Sequence, residues 1–320
     1  MTRPIAERPA SVVDLPPGIP APVGMLAALQ RARQQLLAGR ALSMARRLWA
    51  SVDPRSAQAS WNRGAGRAML AGLTAIQVEA ARDAQSYVAA ALVGQEATPD
   101  PAGRVVASAF AGMAADGRPL DTLLSYPAFE VAAFVDQGMD PDVALTIGGR
   151  HLDRTVMTET QDAARAATGV AVVNDRRAHG YIRYLTLPSC ARCVLLAGRW
   201  YAYSSGFLRH PQCDCVMLPA AEVVEPQSPR AVFDAMPEQE QDSRFTRAGA
   251  QAIRDGSDLG RVVNARRGMY TAGGRKLTME ATTRRGINRR IRLTPEQIYQ
   301  EAAGDRDEAL RLLRRFGYII

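Results

Sequence analysis

The sequence predicts a mainly α-helical α+β fold, and three observations carry that prediction. Long proline-free stretches repeat apolar residues at helical spacing, a short stretch after Gly180 turns β-prone, and all four cysteines fall within 26 consecutive residues. The chain of 320 residues is 47% hydrophobic but only 6% aromatic, so its core should be built from Ala, Leu and Val. Four regions are expected: a flexible Pro-rich arm (1–22), an α-helical domain (23–170), a small zinc-stabilised Cys/His β unit (171–222) and a basic helical C-terminal region (223–320).

Residues 1–22 carry six prolines and four charges with no apolar run, which reads as an extended arm and not as a secretory signal. From Met25 to Val52 no proline intervenes, and Leu29, Leu36 and Leu37 mark one stripe of a helix. A second helical run over Ala57–Leu92 repeats Met69, Leu73, Ile76 and Ala80, leaving Arg63, Arg67 and Arg82 to solvent. A third helix is expected near Arg104, with Val106, Phe110 and Met113 at i, i+4 and i+7. Asp140 and Pro141 supply an N-cap and an N1 proline for a helix running toward Ala167. After Gly180, Tyr181–Leu187, Arg199–Tyr203 and Cys215–Leu218 read as short strands separated by turn residues. Helical periodicity returns with Arg244–Arg254, closed by Gly256, and again after Ser257 and Asp258. A basic, glycine-containing segment follows. Thr294, Pro295 and Gln297 then form a capping box, and a stripe of Leu310, Leu313 and Phe316 ends at Gly317.

The β unit spans about 45 residues, a size that apolar burial alone stabilises poorly. It contains the candidate ligands Cys190, Cys193, His210, Cys213 and Cys215, of which four would complete a tetrahedron. Either four thiolates or three thiolates with the His210 imidazole would suit zinc, a borderline-soft ion without redox chemistry. Packed or disulfide-forming thiols without metal are the alternative. A structural zinc is favoured over a catalytic one, because Asp214 is the one acid beside the second knuckle and is flanked by cysteines. His151, near Asp153 and Arg154, reads as a surface residue, and His179 sits at a turn. No G-x-S-x-G, H-E-x-x-H or phosphate-loop motif is present, so an enzyme is not expected.

The formal charge is +8, and 39 of the 40 basic residues are arginine, Lys276 being the exception. Arg261–Arg292 holds ten basic residues against one acidic, Glu280. Arg266, Arg267, Arg275, Lys276, Arg284, Arg285, Arg289, Arg290 and Arg292 therefore form a candidate contact for DNA phosphates or an acidic partner surface. Tyr270 alone interleaves them, so base stacking is not expected and contact should be independent of sequence. A solvated basic face is the plainer alternative. No run of 18 apolar residues occurs, so no membrane contact is expected.

In this order, Cys190-x-x-Cys193, Leu196-Ala-Gly198, an aromatic at Trp200 or Tyr201, and His210-Pro-x-Cys213-x-Cys215 resemble the signature of the phage Mu F-like minor head protein family. Thr158-Glu159-Thr160 is similar to the family's helical Thr-Glu segment upstream. Phe245–Arg254, Val262–Gly268, Thr282–Gly286 and Arg306–Leu313 resemble the branch found in phages of actinobacteria. The likeness covers roughly residues 150–320. It implies a structural minor capsid protein of head morphogenesis, assembled in the host cytoplasm and residing inside the virion near the portal vertex. Its implied partners are the portal protein, major capsid or scaffold protein, and packaged double-stranded DNA. Some relatives carry a fused protease or toxin-like enzyme, for which this chain leaves no room. A zinc-ribbon nucleic-acid-binding protein outside the capsid is the rival reading, and a metal-dependent nuclease or hydrolase centred on His210 a third.

Overall fold

The computed structural model describes residues 15, 18–185, 189–206, 213, 215–226, 228–279 and 291–319. It is mainly helical with two three-stranded sheets, an α+β fold as expected. The chain divides into a larger unit, Leu15–Tyr184 with Gly198–Glu225, and a smaller one containing Leu185–Ala197 and Pro226–Ile320. The stretch read as one β unit, 171–222, is thus shared: 185–197 belong to the smaller unit and the rest to the larger.

The larger unit is built on helices α1 (Ala21–Trp49), α2 (Ala57–Ser60), α3 (Gly66–Ala81), α4 (Ala84–Val93), α5 (Leu120–Asp136) and α6 (Pro141–Asn174). A single π turn, Trp61–Ala65, joins α2 to α3. Helix α6 begins as the sequence predicts, its Asp140 carboxylate accepting from the backbone N–H of Asp142 and Val143, and it runs past Ala167 to Asn174. Leu37, Ala41, Ala45 and Trp49 of α1, Met69, Leu73 and Ile76 of α3, Leu124 and Val131 of α5, and Leu152 and Val156 of α6 share one core.

Two sequence expectations change here. Leu37 is buried, but Leu29 and Leu36 are each 66% exposed. The inward face of α1 is made of Ala27, Gln30, Gln34, Ala38, Ala41 and Ala45. Alanines let the helices approach closely, so the face with small side chains packs inward and the leucines are left outside. The helix expected near Arg104 is instead a loop with one 3-10 turn, Ala107–Phe110, and Val106 and Met113 are exposed. Side chains tie this loop to neighbouring helices: Gln85 accepts from Val105 N–H (2.9 Å), Gln77 from Gly112 N–H (2.9 Å) and Glu159 from Ala115 N–H (2.9 Å). These bonds satisfy backbone groups that a helix would otherwise have paired.

At Gly148 the close packing is measurable: a Cβ there would lie 2.5 Å from Val131 Cγ2, 2.9 Å from Trp49 Cζ2 and 3.0 Å from the Pro127 carbonyl. Gly148→Ala is therefore expected to destabilise the larger unit by about 1–3 kcal/mol, although alanine is the better helix former. Urea denaturation checks this, and a gain in stability would show that the helices separate freely.

The larger unit also contains strand β1 (Gly180–Tyr184), and the smaller unit's helix α7 (Ala191–Leu195) follows it in the chain. Strands β2 (Trp200–Ala202) and β3 (Val216–Ala220) complete an antiparallel sheet of order β2-β1-β3, all three where the sequence predicts them. Register pairs Tyr181 with Tyr201 and with Pro219. Ile182, Tyr184, Val216 and Leu218 pack with Val23 and Ala27 of α1 and Ala91 of α4.

The smaller unit continues with α8 (Pro229–Asp234), α9 (Glu238–Phe245), α10 (Arg247–Arg254) and α11 (Leu259–Ala265). Strands β4 (Met269–Ala272), β5 (Arg275–Thr278) and β6 (Arg292–Leu293) precede α12 (Pro295–Ala302) and α13 (Arg306–Arg315). The predicted Arg244–Arg254 helix is broken at Thr246, whose φ is +66° and whose hydroxyl caps α10 by accepting from Gly249 N–H. The basic segment, read as part of a helical region, contains a hairpin. Gly273 and Gly274 both have positive φ, and the pair lies between Ala272 and Arg275 as a type I′ turn requires. Thr294 caps α12 as expected; Asp305 caps a separate α13, whose buried residues are Ala309, Leu312 and Leu313, so of the expected stripe Leu310, Leu313 and Phe316 only Leu313 is fully buried.

Candidate metal centre

Cys190 stands at the N-cap of α7, and the turn Cys190-Ala-Arg-Cys193 is closed by Val194 N–H donating to the Cys190 carbonyl (3.1 Å). Cys193 is buried and Cys190 exposed. Cys213 and Cys215, both buried, lead directly into β3. No disulfide joins any of the four. Within the larger unit the sulfurs of Cys213 and Cys215 lie within 4.8 Å of each other, buried thiols that could serve a metal ion. Thiolates are donors for soft and borderline-soft metal ions. His210 and Asp214 lie outside the described residues.

Charged side chains inside the larger unit hold Cys213 and Cys215. Arg165, buried on α6, donates through Nε to the Cys215 carbonyl (2.8 Å) and through Nη2 to the Cys213 carbonyl. Its third nitrogen, Nη1, binds the buried carboxylate of Asp162 one helical turn away (2.8 Å). Arg183, 1% exposed in the middle of β1, points Nη2 at the Cys213 sulfur (3.5 Å). Two flanking side chains brace β3. Tyr87 donates its hydroxyl to the Met217 carbonyl (2.8 Å), and burial holds that phenol well above the usual tyrosine range. Gln95 donates to the Pro219 carbonyl (2.8 Å) and accepts from Ala221 N–H (3.2 Å). Burial, with the stacked ring of Tyr201 beside it, pushes the Tyr181 hydroxyl up to about 12.

Asp162, Arg165 and Arg183 are not among the residues singled out by sequence. Their signals were positional: Arg183 occupies the same strand row as Tyr181 and Leu185, and Asp162 and Arg165 interrupt an alanine-rich face at i, i+3. Glu159 and Thr160, quoted above for the Thr-Glu segment, are buried on α6, with Thr160 bonding back to the Val156 carbonyl (2.8 Å).

Among the basic candidates, Arg266, Arg267, Arg275 and Lys276 are exposed, the first two in the turn after α11 and the others on β5. Arg275 also pairs with Glu301 (2.6 Å). Arg292 is corrected out of this group: it is 6% exposed, donates to the Phe316 carbonyl (3.0 Å) and lies over the Tyr318 ring (5.4 Å). Its burial lowers the guanidinium's proton affinity. Arg284, Arg285, Arg289 and Arg290 lie outside the described residues. His151 is half-buried where a surface residue was expected, since its Nδ1 meets Glu130 Oε2 (2.8 Å) and its ring edge meets Tyr126 (5.4 Å). His179 is exposed.

Compared with protein-family models, with curated proteins and with solved structures, the chain matches none. Among the described residues, no helix is long and apolar enough to cross a membrane.

Proposed function

We propose that this chain is a structural minor head protein of a tailed phage, of the Mu F-like type, with zinc bound by four of Cys190, Cys193, His210, Cys213 and Cys215. The reading is supported above all by the neighbouring buried thiols of Cys213 and Cys215 in the larger unit, with Arg165 on their carbonyls and Arg183 beside the Cys213 sulfur. Zinc would stabilise locally irregular backbone and take no part in turnover, because binding free energy becomes folding free energy. Adhesion is the work assigned to the chain: attachment beside the portal inside the head, with major capsid or scaffold protein as neighbours. The exposed Arg266, Arg267, Arg275 and Lys276 suit phosphate contacts with packaged DNA, made without base recognition.

Co-expression with the portal protein of the same phage genome tests this reading. The two proteins should co-purify as a stable complex. A chain that ignores the portal yet binds short DNA duplexes by itself would be the zinc-ribbon nucleic-acid-binding protein instead.

A further inference from the structure

We propose that Arg183 is a positioning residue of the metal centre, directing the Cys213 sulfur toward the ion and offsetting the charge of its thiolate. The proposal rests on the metal reading above. It starts from burial: a guanidinium 1% exposed on the middle strand of a sheet is costly unless charged or polar partners receive its donors. One of those donors, Nη2, lies 3.5 Å from Cys213 Sγ, within the reach of an N–H···S hydrogen bond.

The backbone around Arg183 leaves that side chain little freedom. Its N–H donates to the Arg199 carbonyl (2.9 Å), its carbonyl accepts from Gly198 N–H (3.0 Å), and the strand register sets it opposite Met217 of β3. Arg165 meanwhile grips the carbonyls of Cys213 and Cys215 from α6. The turn is thus held twice, by its carbonyls and by one of its sulfurs, from two different elements. Such outer contacts fix a ligand's direction and reduce the cost of burying its charge, and their loss typically weakens metal binding 10–100-fold. A guanidinium suits this role better than an ammonium, because its planar donors keep their directions when one of them is engaged.

The test titrates zinc into the full chain against a chelating indicator, with far-UV circular dichroism confirming the fold of each variant. Arg183→Met should weaken zinc binding 10–100-fold. Arg183→Lys, which restores the charge without the planar donor set, should fall between Met and the parent. Cobalt substitution adds a readout that a merely structural role would not move: the sulfur-to-metal charge-transfer band should shift in both variants. A folded Met variant with parental zinc affinity and an unshifted band overturns the proposal. If the Met variant does not fold, parental affinity and an unshifted band in the Lys variant overturn it equally. A parent chain that binds no zinc overturns the metal reading, and this proposal falls with it.

Discussion

Cys213→Ser is expected to abolish zinc retention and to cost the chain more stability than Cys190→Ser. The parent should purify with about one zinc per chain. Cys213 is buried, has its sulfur within 4.8 Å of that of Cys215, has its carbonyl held by Arg165 and lies beside Arg183. Serine offers a poor ligand for zinc and puts a hydroxyl where the Arg183 guanidinium meets the sulfur. Cys190 is exposed, so its loss should leave more of the binding intact. At free zinc a thousandfold above the dissociation constant, binding stabilises the native state by about 4 kcal/mol, which is the size of the loss expected for the Cys213 variant. Elemental analysis, thermal unfolding with and without chelator, and limited proteolysis over residues 181–220 check it. Parent protein that is metal-free, and whose stability a chelator does not change, would refute the structural site.

Much of the fold around this site was legible before the structure. Tyr181, Trp200 and Val216 sit in β-prone runs bounded by turn residues, and the three runs are the three strands. Asp140, Asp258 and Thr294 each announce a helix start, since a short polar side chain before a helical run has one common use. What failed did so for physical reasons. An alanine face carries a weak hydrophobic signal, so Leu29 and Leu36 outweighed it in the sequence and were placed inward. The hairpin is masked by the charges of Arg275 and Lys276, although the Gly273-Gly274 pair between them and Tyr270 is its turn signal. Cys193, Cys213 and Cys215 were found from spacing, whereas Arg165 and Arg183 were not. An arginine reads as solvated until the partner that buries it is known, and here the partners lie 30 to 50 residues away along the chain.

Arg165→Met should be the most damaging change outside the cysteines, with a loss of about 3–5 kcal/mol. The substitution keeps much of the side-chain volume, so the cost isolates polar chemistry from packing. Asp162 would remain buried without that guanidinium, and the Cys213 and Cys215 carbonyls would lose their shared donor at the same time. Asp162→Asn should cost less, because the amide can still accept from Arg165 and carries no charge of its own. In the double variant Asp162→Asn/Arg165→Met, the methionine no longer faces a buried carboxylate. The two single losses should therefore exceed the double loss by about 0.5–3 kcal/mol, the coupling of a contacting pair. Urea unfolding of the four proteins, each at saturating zinc, closes the cycle. Additive losses would show that Arg165 acts on the knuckle carbonyls alone and that its pairing with Asp162 contributes nothing. A loss below 1 kcal/mol for Arg165→Met would show that α6 does not hold the knuckle.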